Sequence, residues 1–343
     1  MKKFTTKETF ALAVKNHQKN NLKVASNLYK EILKTNPNHV DANNNLGLVF
    51  HAFGEFQKAK NCYEKAIEIL PDYAETHNNL GIVFRELRER EKARNCYEKA
   101  IKIKPNYAGA YLNLGNVLKE LGELKKAISS YKKAIKITPN FLTAYLNLGI
   151  VFEELKEFEK AISCYKKAIQ IQPNHAGAYN NLGNVLRKIG ELQSAVDCYQ
   201  KAIQIQPDHA EDNHVNLGLT YKGMGKLQKA ISCYKKAIQM QPNHAGAYNN
   251  LGTAFDELGE YKKAISCYKK ATQIQPNYSD AYWNLHSFAS GIDEALIMLK
   301  KLYDIDNKFL KARIMISALQ GFKGNFNDFD ALIASSESNH PFA

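Results

Sequence analysis

Asparagine stands immediately before a Leu-Gly pair at Asn45, Asn79, Asn113, Asn147, Asn181, Asn216 and Asn250, and before Leu-His at Asn284. A carboxamide both donates and accepts hydrogen bonds, so it pairs with a peptide group in two directions whatever side chain that peptide carries. A row of such groups is suited to holding an extended chain by its backbone. Two other reactive types also fall in rows. Cys62, Cys96, Cys164, Cys198, Cys233 and Cys267 share one slot, with Ser130 in the gap, and each cysteine precedes a tyrosine. His39, His175, His209 and His244 share another slot with Tyr73, Tyr107, Phe141 and Tyr278. Zinc needs ligands closer together than one per repeat, and no C-x-x-C is present. Both rows therefore read as packing, and unpaired thiols fit a reducing compartment. No phosphate-binding glycine loop, nucleophile elbow or carboxylate pair is present. The chain reads as a non-enzyme that needs no cofactor and no metal.

The elements that position these rows are set by a ruler of prolines. Pro37, Pro71, Pro105, Pro139, Pro173, Pro207, Pro242 and Pro276 are spaced by 34 residues, with a single gap of 35. A fixed period of this size marks one supersecondary unit copied in series. Leu46-Gly47, Phe50, Ala59, Tyr63, Ala66 and Pro71 recur at the same offsets as Leu80-Gly81, Phe84, Ala93, Tyr97, Ala100 and Pro105. Leu114-Gly115, Leu118, Ala127, Tyr131, Ala134 and Pro139 repeat them again, as do the blocks around Gly149, Gly183 and Gly252. Apolar residues step by three and four, which is helical spacing. Small Gly and Ala let two helices approach, Leu and Tyr fill the space beside them, and proline ends the second helix.

This signature resembles that of the tetratricopeptide repeat family over residues 6 to 278. The resemblance implies an all-α, right-handed αα superhelix of about eight full repeats closed by a degenerate C-terminal helical cap. Residues 1–39 read as a degenerate first repeat, in which Leu12-Ala13 stands for Leu-Gly and Thr6, Lys7 and Glu8 give a polar start. Units then begin near 40, 74, 108, 142, 176, 210 and 245, with no linker between them. The surplus residue between Pro207 and Gly218 is expected in the turn before the helix, since inside a helix it would rotate all that follows by about 100°. Residues 279–335 read as a shortened repeat and cap, with helices at 292–304, 308–320 and 325–335. Residues 336–343 read as a flexible tail.

The family likeness also places the asparagine row on the concave wall of the superhelix. It is similar there to the ladder in O-linked N-acetylglucosamine transferases, which holds substrate backbone. Asn is a costly helix residue, and eight of them forgo about 4–5 kcal/mol relative to Ala. That favours use by a ligand over the alternative, in which Asn came with duplication and faces water. Asn78, Leu112, Leu146, Asn180 and Asn249 lie one residue earlier, and Arg85, Lys119, Arg187 and Lys222 lie further along, facing Glu86, Glu120, Glu154 and Asp256. These are the expected specificity positions of a polar, mixed-sign groove.

The expected function is therefore a protein-interaction scaffold holding an extended peptide or protein segment. Two alternatives stand beside it. One is the recruiting arm of a transferase whose catalytic domain lies beyond Ala343, because the tail resembles the junction where some bacterial members continue into a glycosyltransferase or methyltransferase domain. The other is a self-assembling solenoid joined through its repeat ends. The net charge of +13 gathers in the second helices, at Lys132-Lys133, Lys166-Lys167, Lys235-Lys236 and Lys269-Lys270. That pattern fits a solvated convex face, and a surface for anionic polymers is the less favoured reading. Nucleic acid is not an expected partner. The charged N-terminus and the lack of a long apolar run point to a cytoplasmic protein without a membrane span.

Overall fold

The computed structural model describes residues 5–305 together with 314–316 and 318–319. Among the described residues every regular element is a helix, and the chain groups into two compact units, Met1–Pro173 and Asn174–Ala343. Unit 1 holds α1 (Thr6–Gln18), α2 (Leu22–Thr35), α3 (Val40–Ala52), α4 (Phe56–Ile69), α5 (Ala74–Glu86) and α6 (Arg90–Ile103). It continues with α7 (Ala108–Glu120), α8 (Leu124–Ile137), α9 (Leu142–Glu154) and α10 (Phe158–Ile171). Unit 2 holds α11 (Ala176–Lys188), α12 (Leu192–Ile205), α13 (Glu211–Gly223) and α14 (Leu227–Met240). It ends with α15 (Ala245–Glu257), α16 (Tyr261–Ile274), the short α17 (Ser279–His286) and α18 (Ile292–Ile305). The sequence reads straight through Pro173, because that proline fills the same slot as Pro139 and Pro207 and nothing local sets it apart.

Each repeat is a helical hairpin closed by one recurring contact. The tyrosine of the second helix lies on the glycine of the first, so closely that a Cβ on Gly47 would come within 2.6 Å of the Tyr63 ring. The same overlap recurs for Gly81 with Tyr97, Gly115 with Tyr131, Gly149 with Tyr165, Gly183 with Tyr199, Gly218 with Tyr234 and Gly252 with Tyr268. These tyrosines are the largest fully buried side chains, flanked by wholly buried alanines such as Ala59 and Ala66. In the first repeat Ala13 replaces the glycine opposite Tyr29, and both are fully buried.

Helix ends follow from local chemistry. The residue before each inter-repeat proline is driven out of helical geometry, as at Leu70 (φ −130°, ψ 87°) and Lys104 (φ −128°, ψ 87°). At the N-terminus Thr5 and Glu8 form a reciprocal capping box, which satisfies two of the free N–H groups of the first turn. The surplus residue after Pro207 is absorbed in a 3₁₀ turn, Pro207–His209, so α13 starts one position late and Leu217-Gly218 stays in register. Gly291 precedes α18, which matches the helix expected at 292–304. Of the helix expected at 308–320, only 314–316 and 318–319 are described, and they are helical; the helix at 325–335 and the tail at 336–343 lie outside the described residues.

The turn inside each hairpin needs one left-handed residue. Glycine supplies it at Gly54, Gly122, Gly190, Gly225 and Gly259, while Asn20, Arg88 and Lys156 adopt φ of 60°, 62° and 60°. A Cβ in this region is strained. Lys156→Gly should therefore raise stability by about 0.5–1 kcal/mol. Urea unfolding of the two proteins checks this, and a less stable variant would show that the Lys156 side chain carries a compensating contact.

Candidate functional site

The asparagines before Leu-Gly all lie half-buried on the first helices. Four of them, and Asn284 before Leu-His, donate one N–H to an asparagine of the preceding repeat. In unit 1, Asn79 Nδ2 donates to Asn44 Oδ1 at 3.2 Å, Asn113 to Asn78 at 2.9 Å, and Asn147 to Asn116 at 2.8 Å. In unit 2, Asn216 donates to Asn180 at 3.1 Å and Asn284 to Asn249 at 2.9 Å. These bonds clasp one repeat to the next. Asn44 is its most connected member, also accepting from the fully buried Thr76 hydroxyl (3.1 Å) and donating to Asn45 Oδ1 (3.2 Å).

The clasp forms where the preceding repeat offers an acceptor. In α7 the position filled by Asn44 and Asn78 in earlier repeats is Leu112, and Asn116, one turn further on, takes over as acceptor for Asn147. Asn116 also accepts from the Tyr131 hydroxyl at 2.9 Å, as Asn184 does from Tyr199 at 2.8 Å. Before Asn250 both positions are apolar, Val215 and Leu219, and its carboxamide has no side-chain partner among the described residues. Asn181, the first of the row in unit 2, is likewise without one.

Of the positions one residue earlier, Asn78 and Asn249 are buried acceptors of the clasp, and Asn180 is a half-buried one, so their carbonyl oxygens serve the scaffold. Leu112, Leu146, Lys119 and Arg187 are half-buried on the same helices. Two of the four cations pair with the next repeat: Arg85 Nε lies 3.5 Å from Glu120, where the sequence suggested Glu86, and Lys222 Nζ 3.0 Å from Glu257, where it suggested Asp256. The lysine pairs of α8, α10, α14 and α16 are all exposed.

Sequence reasoning missed Thr76, Asn116 and Asn184, although Asn116 appearing in the repeat with Leu112 was a readable compensation. It also gave the histidines too small a role. His39, His175 and His244 cap their helices, each Nδ1 accepting from the backbone N–H three residues on, at 3.2, 3.0 and 3.1 Å. His209 falls in the 3₁₀ turn, and α13 has no side-chain cap.

Burial pushes the thiols of Cys62, Cys164, Cys233 and Cys267 up to about 11 and that of Cys96 up to about 12. A thiolate is the reactive form, so these cysteines are poor nucleophiles and poor ligands. Among the described residues no three His, Cys, Asp or Glu side chains are grouped to hold a metal. No described helix is long and apolar enough to cross a membrane.

A model of the tetratricopeptide repeat matches residues 41–106, 140–208, 174–243 and 210–277, and two further models of the same repeat match 115–156 and 96–129. The chain belongs to the tetratricopeptide repeat family. No curated protein sequence matches it. Among solved structures it is similar to the Cut9–Hcn1 hetero-tetramer of the APC/C, with a TM-score of 0.55 at 20% identity over 78% of this chain and 52% of that one. It is also similar to pilF of Pseudomonas aeruginosa, at 0.53 and 23% over 61% and 94%. YrrB, described as a TPR protein with an unusual peptide-binding site, aligns at 0.46 and 26% over 56% and 97%. The first two share the fold, a solenoid of repeated helix pairs. Tetratricopeptide repeats are in general scaffolds for protein–protein interaction, without catalytic residues of their own.

Two outcomes follow for this repeat protein. Asn44→Leu leaves the buried Thr76 hydroxyl and the Asn79 amide without their acceptor and should cost about 2 kcal/mol, whereas Asn250→Ala, which breaks no side-chain bond, should cost less than about 0.5 kcal/mol. Equal losses on denaturant unfolding would dissolve the clasp as described. The raised thiols set a pH limit with a definite sign. Their contribution is complete below the ordinary thiol pKa and is lost as pH rises through about 11. Thermal midpoints by circular dichroism should therefore fall steadily above about pH 9, and a flat profile to pH 11 would contradict the burial.

Proposed function

We propose that the asparagine row of each unit holds the backbone of an extended peptide or protein segment. The observation carrying this reading is how the clasp divides each amide. Asn79, Asn113, Asn147, Asn216 and Asn284 spend one N–H on the preceding repeat, and the carbonyl oxygen and second N–H have no partner among the described residues. A held amide with one donor and one acceptor to spare matches the C=O and N–H of a peptide unit. Because the clasp fixes the rotamer in advance, a ligand need not immobilise the side chain, which lowers the cost of association.

Each such pair adds about 1 kcal/mol net. A single contact is too weak to matter, and four in one unit compete with the ordering cost of a flexible segment. Leu112 and Leu146 in unit 1 add an apolar stretch where a side chain of the segment could be buried. Cytoplasmic location and an extended ligand conformation are part of the same reading.

Asn181 and Asn250 give the cleanest test, because neither takes part in the clasp. Replacing both with alanine should leave the unfolding midpoint unchanged and weaken partner binding in quantitative pull-downs from native lysate by about thirtyfold, two contacts at about 1 kcal/mol each. Full recovery by the double variant would remove the row from ligand binding.

A further inference from the structure

On the first-helix wall a cation in one repeat meets a carboxylate in the next. Arg85, four residues past Gly81, lies 3.5 Å from Glu120, five residues past Gly115. Lys222, four past Gly218, lies 3.0 Å from Glu257, five past Gly252. Arg187, four past Gly183, holds the same register, but the residue that should answer it is Gly223. Its Nε is buried and has no hydrogen-bond partner.

An arginine only donates, and of the carboxylates in this register Glu120 faces Arg85 and Glu257 is engaged by Lys222. What Arg187 lacks is an anionic acceptor. Gly223 is exposed, and a Cβ on it would meet nothing nearer than Leu192 Cδ1 at 3.9 Å. Arg85 and Glu120 show that this register accommodates a carboxylate.

We infer that the gap left by Gly223 in the second unit takes an Asp or Glu side chain of the bound segment. This rests on the groove reading above and adds to it a charge requirement. The bound chain then carries an acidic residue where it crosses α11 and α13. An amide oxygen could also accept from Arg187, but only a carboxylate makes the shorter, charge-assisted bond to a guanidinium, so acid over amide is the expected preference.

The test follows the arginine Nε–H signals by NMR in the full chain. The probes are acetyl-Gly-Ser-Glu-Ser-Gly-amide and its Gln counterpart at millimolar concentration. The Glu peptide should shift the Arg187 signal and bind about tenfold more tightly than the Gln peptide. Gly223→Glu should itself move the Arg187 signal and abolish the response, while Gly223→Gln should keep it. An Arg187 signal indifferent to the Glu peptide, or an undiminished response in Gly223→Glu, overturns the inference. If asparagine side-chain amides respond equally to both peptides while Arg187 stays still, the charge requirement fails and the groove reading stands. If those amides respond to neither peptide, both fail.

Discussion

The tyrosine ring pressed onto a glycine is the contact from which the rest of this molecule takes its dimensions. At Gly115 a methyl group would already overlap Tyr131, so the two helices of the repeat lie closer than any larger residue permits. That closeness fixes where the first helix sits, and with it every residue at a set distance from the glycine. Asn113, Lys119 and Glu120 are placed by the Gly115 contact, as Asn79, Arg85 and Glu86 are placed by Gly81. Interior packing is dense and unforgiving, which lets a side chain in one repeat find its counterpart in the next without a fitted surface of its own.

On this frame the asparagines do two jobs that sequence alone presents as rivals. A buried amide is tolerated only when hydrogen-bonded, and the clasps from Asn79 to Asn44 and from Asn284 to Asn249 meet that requirement. The low helix propensity of Asn is thus offset inside the scaffold. What remains of each amide, one donor and one acceptor, is the part a ligand could use. Cations follow the same logic, being answered by the next repeat at Glu120 and Glu257 and left open at Gly223.

Period, hairpin, helix ends and the surplus residue at Pro207 were all legible, because each is a local consequence of Gly, Ala, Tyr or Pro chemistry repeated at a fixed interval. The side-chain rows were legible only as rows. Asn78 and Asn249 looked like free groove positions because a single residue before the ladder gives no sign of facing the neighbouring repeat. Asn116 was readable only together with Leu112 one turn away, since it accepts where the usual position has become apolar. The histidines resembled the aromatic residues they replace, and their Nδ1 caps at Ala42, Ala178 and Ala247 depend on a ring orientation that no spacing reveals. The division at Pro173 has no local signature at all.

Hydrogen exchange of the asparagine side-chain amides, resolved proton by proton by NMR, tests most directly whether the row is shared between scaffold and ligand. Asn79, Asn113 and Asn284 should each show one slowed and one freely exchanging proton, and Asn250 should show two free ones. Two slowed protons at Asn113, or none, would contradict the account.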